Sequence, residues 1–156
     1  MAFNNQREKS TEIKEKFLAE CNMLRENMQI DFVGIALQQT EGLNITWPFV
    51  SGNTTNKYKY ITVRYGKGIA GKVISTGAAL SIDSFPDGIS GKPTEYPIML
   101  AERLFAVYAV PINFKGMPKG ALLAGMRSPI VWSDTNIKQV KQMTTEIEKL
   151  LPYYFK

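Results

Sequence analysis

The chain has no histidine and one cysteine, Cys21, in 156 residues. The first absence removes the side chain most used as general base, proton shuttle or metal ligand near neutral pH. The second removes internal disulfides, thiol pairs and cysteine-built metal sites, and suits a reducing compartment. No apolar run approaches the ~20 residues of a membrane span. The segment Met1-Ala2-Phe3-Asn4-Asn5-Gln6-Arg7-Glu8 lacks the apolar stretch of a signal peptide. Basic runs, basic helices and helix-turn-helix spacing are missing too, which leaves little for nucleic acid to select. A cytoplasmic protein without metal, cofactor, membrane or nucleic-acid partner is therefore expected, with few groups for side-chain catalysis.

What is present is ordinary in bulk. Hydrophobic residues make up 44% and charged residues 21%, the balance of a globular domain. The length suits one domain, 1–156, with a real core. The net charge of +5 is uneven: residues 51–128 hold ten Lys/Arg against Asp83, Asp87, Glu95 and Glu102. These cations are scattered, so they read as a general positive field over an anion or an acidic partner, or as solubility alone.

Periodicity gives the outline. Ile13, Phe17, Cys21, Leu24 and Met28 predict a helix over about 10–28, with Ser10 or Thr11 as cap. Ile137, Val140, Thr144, Ile147 and Leu151 predict another over about 133–152, capped by Ser133 or Asp134. Sheet and lid fill 32–126. Strands are expected at Phe32–Gln38, Leu43–Val50, Tyr58–Tyr65, Ala79–Ile82, Leu104–Ile112 and Gly120–Met126, with a hairpin through Lys115-Gly116-Met117-Pro118. The fold class is α+β: a central antiparallel sheet with both terminal helices on one face. The 16 residues from Ser84 to Met99, broken by Pro86, Pro93 and Pro97, read as a lid over the opposite face.

The segment Tyr65-Gly66-Lys67-Gly68-Ile69-Ala70-Gly71-Lys72-Val73 carries the chemistry. Three glycines let main-chain N–H groups converge where a short helix begins, and a helix start favours an anion. Gly66, Gly68 and Gly71 also match the dinucleotide fingerprint G-x-G-x-x-G. That reading fails on context: Thr76-Gly77 ends the helix after about two turns, Asp83 lies too near, and no βαβ repeat follows. A plain structural turn is the simpler alternative. Lys67, between glycines, is expected to point to water.

These pieces resemble a known family. The glycine turn, then Thr76-Gly77 and Ser81-Ile82-Asp83, is similar to the middle signature of GAF domains. Val110-Pro111-Ile112 followed by Gly120-Ala121-Leu122-Leu123-Ala124 resembles their closing strands, so the likeness spans nearly the whole chain. Within that family, Trp47-Pro48, the glycine turn and Tyr96-Pro97-Ile98 look most like the stand-alone nitrate receptors. This resemblance implies nitrate in a closed pocket on the lid side, bound by the amides of Ile69, Ala70 and Ile98. Trp47, Tyr96 and Pro97 would form its wall. It also implies a sensor histidine kinase as partner and a homodimer through the terminal helices. A dimerisation module with an empty pocket, or a sensor of another small ligand, is the alternative. GAF-type methionine sulfoxide reductases use pocket cysteines, and haem or bilin sensors need histidine or cysteine, so none of these suits the composition. The cyclic-nucleotide signature stops after Asn56-Lys57.

Nitrate fits such donors. It is a flat monoanion with charge spread over three oxygens. Each charge-assisted hydrogen bond contributes about 1.5–3 kcal/mol net, and a helix start adds up to about 2 kcal/mol. Four heavy atoms at about −1.5 kcal/mol each bound the affinity near −6 kcal/mol, a dissociation constant on the order of tens of micromolar.

Overall fold

The computed structural model describes the backbone of residues 2–155 and the side chains of residues 8–155. The first helix, α1, runs Ala2–Met28. It starts earlier than expected because no glycine or proline interrupts residues 2–28, so Ser10 and Thr11 lie inside the helix rather than at its start. Phe17, Cys21, Leu24 and Met28 are buried along one stripe. Gln29 (φ 55) turns the chain out, and Ile30 N–H closes the end on the Arg25 carbonyl at 3.1 Å.

The last helix, α4, spans Asp134–Tyr154 and is capped by Ser133, which exchanges hydrogen bonds with Asn136. Its buried residues are Val140, Met143, Ile147 and Leu151. Met143 thus takes the core position expected of Thr144, one residue away, which is half-buried.

Six strands form one antiparallel sheet: β1 (Phe32–Gln38), β2 (Ile45–Ser51), β3 (Thr62–Val63), β4 (Leu80–Ile82), β5 (Ala106–Phe114) and β6 (Met117–Met126), in the order β3-β2-β1-β6-β5-β4. The β5–β6 hairpin turns at Lys115 and Gly116, both with positive φ, as a tight hairpin requires. Val33, Ile35, Leu37, Tyr108, Val110, Ile112 and Leu122 pack with α1 and α4 on one face. Phe32, Ala36, Trp47, Val107, Ala109, Ala121 and Leu123 face the other way, under α2 (Gly68–Thr76) and α3 (Pro97–Glu102).

Two expectations are corrected here. The strand expected over Tyr58–Tyr65 exists only at Thr62–Val63; Lys57–Tyr60 is a 3-10 turn without a buried residue. Its alternation offers no apolar side to the sheet, and Tyr60 is 85% exposed. The lid is not structureless: Pro93–Glu95 forms a 3-10 turn, and Pro97 begins α3, which delays β5 to Ala106.

Strand β2 contains a bulge that matters for the site. Ile35 pairs with Phe49 but Leu37 with Thr46, so Trp47 and Pro48 together oppose Ala36. Without the extra residue, Trp47 and Phe49 would share a face. With it, Trp47 joins the lid-side cluster and Phe49 stacks on Phe17 of α1 at 4.5 Å.

Candidate anion site at two helix starts

The glycine turn folds tightly. Gly66 N–H donates to the Gly71 carbonyl at 3.0 Å, and Lys67 N–H to the Arg64 carbonyl at 2.9 Å. A Cβ on Gly71 would stand 2.4 Å from the Arg64 oxygen, and Gly68 has φ +64, so neither position accepts another residue without strain. The chain thereby enters α2 with Lys67 extended at the N-cap and no side chain capping the first turn. Lys67 itself is exposed.

The first amides of a helix have no intrahelical acceptor. Those of Ile69 and Ala70 find none elsewhere among the described residues, and both residues are 1% exposed. The start of α3 repeats the arrangement. Met99 and Leu100 N–H turn to the Tyr96 carbonyl at 3.1 and 3.4 Å, and Pro97 has no N–H. Ile98, 2% exposed, is left with a donor and no partner among the described residues. The two starts adjoin: the Glu95 carbonyl lies 3.7 Å from where a Gly68 Cβ would be, and Lys72 Nζ of α2 sits 5.5 Å from the Tyr96 ring centroid. Each buried, unanswered amide costs about 1–3 kcal/mol. Such amides, at the positive ends of two helices whose starts adjoin, are suited to a small anion.

The surroundings are apolar. Trp47 is 3% exposed, its indole N–H has no acceptor among the described residues, and its ring lies against Gly34, where a Cβ would be only 3.0 Å away. Ala36 and Ala121, paired across β1 and β6, add further small residues to this face. Tyr96 is buried, but its hydroxyl is engaged: it donates to the Ser90 carbonyl at 2.7 Å and lies 3.3 Å from Ser90 Oγ. Its ring meets Phe85 edge-on, so Tyr96 ties the lid down from within. Tyr96→Phe should therefore speed hydrogen exchange in residues 86–92, with a stability loss of about 0.5–1.5 kcal/mol. Trp47, Ile69, Ala70, Tyr96 and Ile98 thus share one buried cluster. Pro97 is set apart: half-buried, it lines an outer groove of about 420 Å³ with Lys57, Tyr60 and Leu100.

One group beside the site has no counterpart in the sequence reading. Glu102, at the end of α3, is fully buried. Its Oε1 accepts from Thr54 N–H at 2.9 Å, Thr54 Oγ1 at 3.3 Å and Arg127 Nη2 at 2.9 Å, while Oε2 has no partner among the described residues. Arg127 also donates from Nε to the Glu102 carbonyl and from Nη2 to the Gly52 carbonyl, each at 2.9 Å. Its own N–H reaches Asp31 Oδ2 at 2.7 Å. The one local sign of this cluster is a lone acid closing the apolar stretch Pro97-Ile98-Met99-Leu100-Ala101.

Cys21 lies on the other side of the sheet, with no exposed surface. Burial, then the charge of Glu20, pushes its thiol from 9.0 up to about 12. The protonated thiol stabilises the fold below the ordinary value, and that contribution is lost as pH rises through 9.0 toward about 12. A thiol reagent near neutral pH should leave Cys21 unmodified in the native protein and label it fully in denaturant. Among the described residues no cluster of three metal-ligating side chains occurs, and no helix is long and apolar enough to cross a membrane.

The strand order, the terminal helices on one face and the helix starts facing the other define a GAF domain. A structure of a Staphylococcus aureus NreA protein mutated in its nitrate-binding site is 30% identical over 83% of this chain and 96% of its own, with a TM-score of 0.74. The chain belongs to the NreA-like GAF proteins. Others share the fold alone: the GAF domain of an Acinetobacter phosphoenolpyruvate-protein phosphotransferase (12% identity, 98% and 93% coverage, TM-score 0.75) and a free methionine-R-sulfoxide reductase of Thermoplasma acidophilum (14%, 94% and 97%, 0.72). No family model and no curated protein matches the sequence.

Proposed function

We propose that this chain is a cytoplasmic nitrate receptor that modulates a sensor histidine kinase. One observation carries the reading: the buried amides of Ile69, Ala70 and Ile98 have no acceptor among the described residues and stand at the starts of two helices, the chain before the second passing beside Gly68 at the first. Membership of the NreA-like proteins supports nitrate as the acceptor. Trp47 and Tyr96 enclose it, and Pro97 fixes the start of α3. The ion needs no lysine or arginine in contact, because its charge is diffuse and two helix starts meet it. Metal and cofactor play no part, and the protein is not an enzyme: Cys21, the one thiol, is protonated and on the wrong face.

Signalling follows from closure. Nitrate bound between α2 and α3 holds the lid segment against the sheet, and its differential affinity for closed and open lids sets how far the equilibrium moves. The closed form is what the kinase distinguishes, and the terminal helices are the surface for a second copy.

Calorimetry with nitrate, nitrite, chloride and sulfate tests the reading. Nitrate is expected to bind with a dissociation constant on the order of tens of micromolar, and sulfate, harder to dehydrate and doubly charged, not measurably. No heat from nitrate at millimolar concentration would favour an empty dimerisation module.

A further inference from the structure

We infer that Arg127, acting through Glu102, is a positioning residue for the anion site: it sets α3 so that the Ile98 amide faces the start of α2. The inference rests on the nitrate reading and concerns how that site is held in shape.

Helix α3 has six residues, too few to be stable by itself, so its placement depends on tertiary contacts, the burial of Ile98 and Met99 among them. Its C-terminal end is closed by Arg103 at φ 55 and by Leu104 N–H on the Met99 carbonyl at 2.9 Å. Beyond that, Arg127 holds it. The planar guanidinium binds both the carboxylate and the carbonyl of Glu102, and reaches Gly52 after β2; Arg127 N–H reaches Asp31 before β1. The end of α3 is thereby referenced to the sheet rather than to the lid. Glu102 lies four residues after Ile98, hence on the same face one turn along, ~6 Å away. Fixing Glu102 therefore fixes the rotation and advance of the turn that carries the Ile98 donor. The arginine charge also offsets a carboxylate that would otherwise oppose an anion in that turn.

The chemistry of the pair favours direction over stability. Glu102 Oε2 is buried without a partner among the described residues, a cost that an apolar pair of the same volume avoids. What an apolar pair cannot supply is the fork of aimed hydrogen bonds.

The test compares wild type with Glu102→Met/Arg127→Met, using thermal melts, calorimetry with sodium nitrate, and hydrogen exchange. The double variant is expected to melt close to wild type, yet bind nitrate about tenfold more weakly, the factor that ~1.4 kcal/mol makes. Exchange at residues 98–102 should be faster by a similar factor. A merely structural role would be restored together with stability, so wild-type affinity in the double variant overturns the inference. Should the double variant fold poorly, Arg127→Lys, which keeps the charge and loses the fork, must show the same loss of affinity; unchanged binding there overturns it too. If wild type gives no heat with nitrate, the nitrate reading fails by itself. Exchange then decides the positioning role, and unchanged protection of residues 98–102 in the double variant overturns it.

Discussion

Replacing the Ala70 amide by an ester, with lactic acid introduced at position 70, is expected to weaken nitrate binding about 10- to 150-fold while hardly changing thermal stability. The Ala70 N–H sits in the first turn of α2 and donates to no group among the described residues. Deleting it removes no native hydrogen bond and relieves a buried, unanswered donor. Toward the ion the loss is a charge-assisted bond of about 1.5–3 kcal/mol, which is the stated range in affinity. A matched ester at Ile74 reverses the pattern. That N–H lies in the helical ladder, so stability falls and nitrate affinity holds. Calorimetry and melting curves on both esters decide the matter; equal nitrate affinity for wild type and the Ala70 ester would remove that amide from the site.

Arg127→Met should cost about 3–5 kcal/mol of stability, because Glu102 stays buried and loses its counter-charge. For a chain of this length that is a drop of roughly 6–20 °C in melting temperature. Adding Glu102→Met should recover most of it, since the desolvated carboxylate is then gone. Denaturant unfolding of the two single variants and the double variant measures the coupling. Additive losses would mean that the two side chains act independently, contrary to their 2.9 Å contact.

The parts of the fold that were legible are those with long, uninterrupted periodicity. Phe17, Cys21, Leu24 and Met28 announce α1, and Ile147 and Leu151 announce α4, because a helix repeats its buried face every three or four residues. The hairpin at Lys115-Gly116 and the turn at Gly66–Gly71 are legible because their backbone geometry demands glycine. Short elements were not. Six residues from Pro97 are too few to show a helical period, and proline there looked like a breaker when it was an initiator. The alternation of Tyr58-Lys59-Tyr60 misled because alternation predicts a strand only if one side is buried. The site divides the same way. The glycine turn marks the start of α2, and the family resemblance names Ile69 and Ala70 there, whereas the cluster of Asp31, Gly52, Thr54, Glu102 and Arg127 assembles from four separate places and leaves one local sign, the lone acid after Ala101.

The bulge at Trp47-Pro48 has a consequence for how the molecule can vary. One strand furnishes neighbouring aromatic rings to two buried clusters separated by the sheet: Trp47 to the one beneath the lid, Phe49 to the one against α1. The partition allows each ring to be exchanged alone, the first against the lid-side cluster, the second against the docked helix. Removing Pro48 would abolish that independence, because restored alternation would turn one of the two rings into the wrong compartment.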